Sequence, residues 1–233
     1  MTGSAKSFNL PWNQGEQYWL SVYAAQGALP AGVADMLQHA GASSNGEGFV
    51  LRTDAGWKQR WDVIYIALKQ MDALSAVEVG LSHAAEAPAN RQEAACKSAA
   101  QLQSMADSLW LGEALLENRV VCYLQSVHSA KDRIFGYESF ARVKGADGQI
   151  IGGGQIIAAS KALGIEYMID RHLQVEAIKT FAASAFNGFL FVNFFPGFIH
   201  RPAVYLEGLS ETAKQHGVVS RHIVLDFTNS EKP

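Results

Sequence analysis

The sequence predicts an α/β protein in which a mostly α-helical N-terminal region precedes a second region of alternating strands and helices. Two observations support this prediction. Up to about residue 117, apolar residues recur at spacings of three and four, which is typical of helices. From Arg119 onward, short apolar runs alternate with helical segments, and this alternation favours parallel pairing of the strands. We therefore expect two parts, residues 1–117 and 118–233.

The N-terminal region is predicted to contain three helical segments and one short strand. These are helices at 17–39 (interrupted by Gly27 and Pro30), 57–71 and 90–116, and a strand at 49–51. Asn90 stands in position to cap the third helix. Trp61 and Leu68 lie on one apolar face of the second helix. This face, and a similar stripe in the third helix, fit either packing within one chain or a dimer seam. Neither stripe continues for the several heptads of a coiled coil, which favours packing within one chain.

The second region is predicted to begin with a hairpin and to continue as alternating helices and strands. The predicted elements are strands at 120–127, 133–143, 188–194 and 222–227, and helices at 155–163, 166–186 and 203–216. A turn at Ser129–Asp132 joins the first two strands, and Gly152–Gly154 is a flexible entry to the next helix.

Composition limits the possible functions of the chain. The formal net charge is -3 and no block rich in Lys and Arg occurs, so we do not expect nucleic-acid binding. The longest apolar stretch, 189–199, is too short to span a bilayer, and the first residues do not resemble a signal peptide. We expect a cytoplasmic protein without a membrane partner. Cys96 and Cys122 are expected to be buried free thiols.

Polar side chains stand near the ends of the predicted strands. They are Glu138, Arg142, Asn193 and Asp226. The carboxyl ends of parallel strands converge on one face, where sites are built. Glu138, Asn193 and Asp226 offer the oxygen ligands that a cation such as Mg²⁺ prefers, and Arg142 is able to contact a phosphate bidentately. The alternatives are a satisfied Glu138–Asn193 pair and a structural ion pair between Arg142 and Glu138.

Several segments together resemble the EAL domains, a bacterial family of cyclic di-GMP phosphodiesterases. They occur in the family's order and spacing over about residues 110–230. The segment Ile134–Arg142 is similar to the signature strand, with Glu138 as the naming glutamate. The other matching segments are 123–127, 155–164, 169–170, 191–196 and 223–229.

The resemblance implies a (β/α)8 TIM-like barrel that hydrolyses cyclic di-GMP with Mg²⁺ or Mn²⁺. This chain would supply the N-terminal half of such a barrel. Carried over by position, Glu138, Asn193 and Asp226 would bind the metal, and Arg142 would contact a phosphate. Gln125 would be a polar residue lining the ligand site.

Departures from the family pattern predict a degenerate site. Asp226 stands where the family has a glutamate, and its side chain is one methylene shorter, a loss of about 1.5 Å of reach. Further replacements occur at Ser126, Ser139, Phe140, Phe195 and Asn229. The sequence also ends at Pro233, before the family's Asp-Asp motif and catalytic lysine. We therefore expect no catalysis by this chain alone.

These observations leave three hypotheses for function. The first is a non-catalytic EAL-like protein of cyclic di-GMP signalling, acting as a nucleotide receptor or through contacts with a protein partner or a second copy. The second is a fragment of an active phosphodiesterase. The third is a helical dimerisation module with a vestigial barrel. The open half of the barrel would be covered by the N-terminal helices, by a second chain, or by the rest of a longer protein.

Overall fold

The computed structural model of the chain describes residues 17–54, 56–194 and 201–227. These residues form two units, one ending at Ser108 and the other beginning at Leu109. The α/β class predicted from the sequence is confirmed, because both units combine helices with a sheet. None of the described helices is both long enough and apolar enough to cross a membrane.

The first unit contains a five-stranded antiparallel sheet of order β2-β3-β1-β4-β5. Its strands are β1 (Tyr18–Ala24), β2 (Ser43–Ser44), β3 (Gly48–Thr53), β4 (Val77–Ser82) and β5 (Lys97–Ser98). Its helices are α1 (Val33–His39), α2 (Trp57–Gln70) and α3 (Ala99–Asp107), with a one-turn 3-10 helix at Leu74–Ala76.

The expectation of a mostly helical N-terminal region is therefore corrected. Tyr18–Ala24 is a strand, not part of a helix, and it lies between β3 and β4 at the centre of the sheet. Side chains on both sides of this strand are buried, so its sequence lacks the alternation that marks a strand with one exposed face. Only Val33–His39 of the predicted 17–39 segment is helical.

The second predicted helix is confirmed, and its apolar stripe packs within the first unit. α2 buries Trp57, Trp61, Ile64 and Leu68, and it contacts β1, α1 and α3. Because Trp61 and Leu68 are fully enclosed in their own unit, this stripe is not a free surface for a second copy. The strand predicted at 49–51 is also confirmed, since it lies inside β3.

The third predicted helix is shorter than expected and begins later. Asn90 caps a turn, accepting a hydrogen bond from the backbone N–H of Glu93 at 2.9 Å. The helix begins only after Ser98, whose hydroxyl accepts from Gln101 N while the Gln101 side chain accepts from Ser98 N. This reciprocal arrangement is a capping box, which satisfies two donors at the start of a helix.

The second unit begins with helix α4 (Trp110–Leu116) and is built around a mixed five-stranded sheet. The strands are β6 (Val120–His128), β7 (Ile134–Lys144), β8 (Ile150–Gly152), β9 (Phe189–Phe194) and β10 (Ile223–Phe227), and the remaining helices are α5 (Gly153–Leu163), α6 (Glu166–Ala183) and α7 (Pro202–Gln215). The order is β10-β9-β7-β6, and β8 pairs with the last residues of β7. Every element predicted for this region is present, and β8 is an addition.

Strand pairing in the second unit is parallel on one side and antiparallel on the other. β7, β9 and β10 are mutually parallel, whereas β6 and β7 form the predicted hairpin. In the part of the chain that the structure describes, β6 and β10 lie at the two ends of the main strand order, and the short β8 pairs with β7 alone. The α/β alternation is thus present in an open sheet.

The core of the second unit lies on one face of its sheet. Helices α6 and α7 pack there, and the buried side chains are Cys122, Ala177, Ile178, Phe181, Leu190, Val192, Leu209, Ala213 and Val218. Because side chains alternate along a strand, the residues between these face the opposite side. That opposite face carries the candidate site.

Candidate functional site

All five residues singled out from the sequence lie on the face opposite the helical core. Gln125 in β6 is the backbone partner of Glu138 in β7, and Asn193 in β9 is the partner of Asp226 in β10. Arg142 follows Glu138 by four residues on the same strand, which keeps it on the same face.

Glu138 and Asn193 are in direct contact. The amide nitrogen of Asn193 donates to Oε1 of Glu138 at 3.2 Å and to the carbonyl oxygen of Ser139 at 3.1 Å. This places an amide and a carboxylate from two neighbouring parallel strands in one hydrogen-bonded group. The satisfied pair predicted as an alternative is thus present.

Arg142 lies close to two aromatic rings. Its guanidinium carbon is 6.0 Å from the ring centroid of Tyr123 and 5.8 Å from that of Phe140. One N–H group donates to the carbonyl oxygen of Ala141 at 2.7 Å. Among the described residues, no ion pair joins Arg142 to Glu138, so the ion-pair alternative is not observed. The guanidinium retains further donors for an anionic ligand.

A cavity of about 250 Å³ lies beside these residues, at the carboxyl ends of β7 and β9. Glu138, Arg142 and Asn193 line it from the open face, together with the start of α5 at Gly153 and Gly154. Other parts of the lining come from the helical side of the sheet and include Cys122 and Asp170. Gln125 and Asp226 do not line the cavity, and both are exposed on the sheet face. The cavity is smaller than the roughly 300–1,000 Å³ of most small-molecule pockets.

Cys122 lines the same cavity as a protonated thiol. Burial raises its pKa to about 11, while a hydrogen bond from the backbone of Phe140 opposes this shift. Cys122 is a buried free thiol as predicted, whereas Cys96 is only partly buried. Burial, followed by the carboxylate of Glu78, raises the pKa of Cys96 to about 11 as well. Both thiols are therefore weak nucleophiles at neutral pH.

A buried polar network that sequence reasoning missed reaches the cavity through Asp170. Asp170 in α6 is 3% exposed and accepts hydrogen bonds from Gln174 at 2.8 Å and from the Tyr205 hydroxyl at 2.9 Å. Gln174 also donates to Tyr205, and the Arg171 guanidinium is 5.4 Å from the Tyr205 ring. Burial, and then the Asp170 carboxylate, raise the pKa of Tyr205. This network joins α6 to α7.

Replacing Tyr205 by phenylalanine is expected to lower the free energy of unfolding by about 1–2 kcal/mol, because buried Asp170 loses a hydroxyl donor. Chemical denaturation of the whole chain measures this change. Tyr167→Phe is the matched control, since Tyr167 lies on α6 with 54% of its surface exposed and should change the value by less than about 0.5 kcal/mol. Equal effects of the two substitutions would contradict the network's role.

The donor types at the site fit a hard divalent cation. Glu138 and Asp226 carry carboxylates, and the amide oxygen of Asn193 is the ligand atom that remains when its nitrogen donates to Glu138. Among the described residues, no group of three or more His, Cys, Asp and Glu side chains could hold a metal. Phe195 and Asn229, two of the departures from the family pattern, lie outside the described residues.

No family model and no curated protein matches the chain. Solved structures similar to it are EAL domains. The FimX EAL domain of Pseudomonas aeruginosa bound to c-di-GMP is 24% identical, with 52% of this chain and 50% of that chain covered and a TM-score of 0.45. The Xanthomonas citri FimX EAL domain in complex with c-di-GMP is 19% identical, with 56% and 52% covered and a TM-score of 0.48.

A longer stretch is covered by the apo Vibrio cholerae LapD structure that spans an S helix, a GGDEF and an EAL region. It is 15% identical, with 91% of this chain and 62% of that chain covered and a TM-score of 0.40. The chain thus spans about half the length of the two FimX structures and 62% of the LapD structure. The resemblance to EAL domains stated from the sequence is confirmed at this level of partial coverage.

Proposed function

We propose that the second unit is a non-catalytic EAL-like module that binds cyclic di-GMP through the open face of its sheet. The observation that carries this proposal is the placement of Glu138, Arg142 and Asn193 around one cavity. These are the positions that match the motifs of a cyclic di-GMP-binding family. Signalling through this module would combine ligand binding with contacts to a protein partner. The first unit would provide a further surface for these contacts.

Arg142 is the proposed phosphate contact. An arginine offers a planar set of N–H donors that matches two phosphate oxygens, and the rings of Tyr123 and Phe140 limit where the guanidinium can point. Tyr123 is 47% exposed, so its ring is also available for stacking against a base. Gln125, across the strand pair from Glu138, would line the same face as a polar contact.

Glu138, Asn193 and Asp226 are the residues that would hold Mg²⁺ or Mn²⁺ in this site. A bound cation would supply phosphate charge neutralisation and, in a complete site, an activated water. The side chain of Asp226 is short and exposed, and both features lower the affinity of these three residues for a cation. The contact of the Asn193 amide nitrogen with Glu138 satisfies that carboxylate without metal. These features support binding rather than hydrolysis.

A second candidate is a piece of an active Mg²⁺- or Mn²⁺-dependent phosphodiesterase. The shared sheet face of the three oxygen-bearing residues favours it, since a metal site could be completed by further residues. For the third hypothesis, a helical dimerisation or interaction module, the α2 stripe is not the contact surface, because that stripe is buried in its own unit.

Replacing Arg142 by alanine is expected to weaken cyclic di-GMP binding by about tenfold or more, because a charge-assisted hydrogen bond contributes roughly 1.5–3 kcal/mol. Isothermal titration of the purified chain measures the change. Arg133→Ala is the matched control, an exposed arginine in the β6–β7 hairpin, and should bind like the wild type. Unchanged affinity in the Arg142→Ala variant would remove Arg142 from the site.

A further inference from the structure

A chain of three hydrogen-bonded side chains lies at the tip of the β6–β7 hairpin. Ser126 Oγ is 3.0 Å from Nε2 of His128, and Nδ1 of His128 is 3.0 Å from Oδ1 of Asp132. A hydroxyl, an imidazole and a carboxylate are thus connected in that order through the two different nitrogens of one ring. This is the arrangement of a serine nucleophile, its general base and the carboxylate that orients the base.

The carboxylate determines the protonation pattern of the neutral imidazole. An ionised carboxylate only accepts hydrogen bonds, so Nδ1 of His128 carries the proton and donates to Asp132. Nε2 is then the unprotonated nitrogen, and it accepts the hydrogen bond from the Ser126 hydroxyl. The base therefore faces the nucleophile in the tautomer that proton transfer requires.

The backbone of the hairpin holds the three residues in these positions. Ser126 and His128 are two residues apart on β6, and a register irregularity separates Val127 from His128. Asp132 has a φ of 53° in the turn, where its N–H donates to the Ser129 carbonyl at 2.9 Å. Aspartate is among the few non-glycine residues that adopt this left-handed conformation readily, so the turn places the carboxylate without a steric conflict.

Apolar surface lies next to the serine. Ser126 is the backbone partner of Tyr137, whose ring stacks on Phe186 with centroids 4.2 Å apart. Phe186 is 42% exposed, and Ile134, the partner of His128, is also exposed. An acyl or aryl group attached to a reacting carbonyl would find aromatic and aliphatic contacts beside the hydroxyl. Ser126 is one of the departures from the EAL family pattern, in which a proline stands at this position of the first strand.

We propose that Ser126, His128 and Asp132 form a second, hydrolytic site that reacts with activated esters of small aryl or acyl groups. Ser126 Oγ attacks the carbonyl carbon, its proton passes to His128 Nε2, and the ester C–O bond breaks as that proton passes to the leaving oxygen. Water then attacks the acyl-serine, with His128 again accepting and returning a proton, and releases the acid. Ser126 and His128 are the catalytic residues, and Asp132 is the positioning residue.

The site is open to solvent, which determines the test. His128 and Asp132 side chains are 45% and 96% exposed, so their interactions are screened by water and turnover is slow. A reactive probe that accumulates on the serine is therefore a better readout than turnover. A fluorophosphonate serves this purpose, because Ser126 Oγ forms a bond to phosphorus as fluoride leaves and the serine proton departs through His128.

The experiment incubates the full-length chain with a fluorophosphonate and locates the label by peptide mass spectrometry. The expected result is labelling of Ser126, absent in Ser126→Ala and reduced by about tenfold or more in His128→Ala, which lacks the base. Asp132→Asn is expected to reduce labelling by about threefold to tenfold by favouring the other tautomer, and Asp132→Glu to restore it in part. Ser129→Ala, in the same turn, is the matched control and should label like the wild type.

Two results would overturn the proposal. One is labelling of Ser126 no faster than that of other exposed serines of the folded chain. The other is equal labelling in the wild type and His128→Ala, because the serine would then react without a base. Circular dichroism of each variant tests whether the hairpin substitutions leave the fold intact. Labelling of the wild type after denaturation in urea gives the background rate of the unfolded chain.

Discussion

Replacing Leu68 by glutamate is expected to lower the free energy of unfolding of the first unit by about 4 kcal/mol or more. Leu68 is fully buried on the face of α2 that packs against β1 and its neighbouring helices. The substitution removes a large apolar side chain and places a carboxylate in a fully buried position, and both changes are destabilising. Denaturant unfolding followed by tryptophan fluorescence measures the loss, since Trp57 and Trp61 lie on the same face.

Val63→Glu is the matched control for this prediction. Val63 is on the same helix and is 68% exposed, so the same new charge should change stability by less than about 0.5 kcal/mol. The two substitutions also separate packing from dimerisation. A dimer seam on this stripe would give a folded monomer in the Leu68→Glu variant, with a loss of stability that depends on protein concentration, and that result would contradict the buried packing.

Replacing Gly136 by alanine is expected to destabilise the second unit by about 2–3 kcal/mol. A Cβ atom at this position would lie 2.3 Å from the carbonyl oxygen of Phe189, far inside van der Waals contact. Gly136 and Phe189 are backbone partners in the parallel β7–β9 pair, so the clash involves two strands that cannot separate without loss of their hydrogen bonds. Glycine is therefore required here by the close approach of the backbones.

Gly154→Ala is the control for the Gly136 substitution. Gly154 lies in the first turn of α5, where a Cβ atom meets no other atom within 4 Å. Alanine is favoured over glycine in helices by up to about 1 kcal/mol, so this variant should be as stable as the wild type or slightly more stable. A Gly136→Ala variant as stable as Gly154→Ala would show that β7 and β9 do not pair in the described register.

Sequence patterns predicted the strands and helices of the second unit closely, because the spacing of apolar residues differs between its strands and its helices. The hairpin turn at 129–132, the helix that ends before Gly164 and the helix that begins at Pro202 each have a local signal. The family motifs also indicated which polar residues share one face. The first unit was mispredicted at Tyr18–Ala24, because side chains on both sides of this strand are buried and its sequence lacks the alternation that marks a half-buried strand.

The contacts within the candidate site could not be predicted to the same degree. Asp170 was part of a recognised motif, but its hydroxyl partner, Tyr205, comes 35 residues later on another helix. The rings around Arg142 depend on strand register, which pairs Tyr123 with Phe140. The Ser126–His128–Asp132 chain depends on the φ of one turn residue. Contacts of this kind between side chains depend on the tertiary structure, and the spacing of residues in the sequence does not predict them.

The most direct test of a binding site without hydrolysis is isothermal titration of cyclic di-GMP into the purified chain with and without Mg²⁺, followed by chromatography of the recovered nucleotide. We expect saturable binding of similar affinity in both conditions and recovery of the intact cyclic dinucleotide. Recovery of the linear dinucleotide in the presence of Mg²⁺ would contradict the non-catalytic claim, and absence of binding at high micromolar ligand would contradict the claim of a nucleotide site.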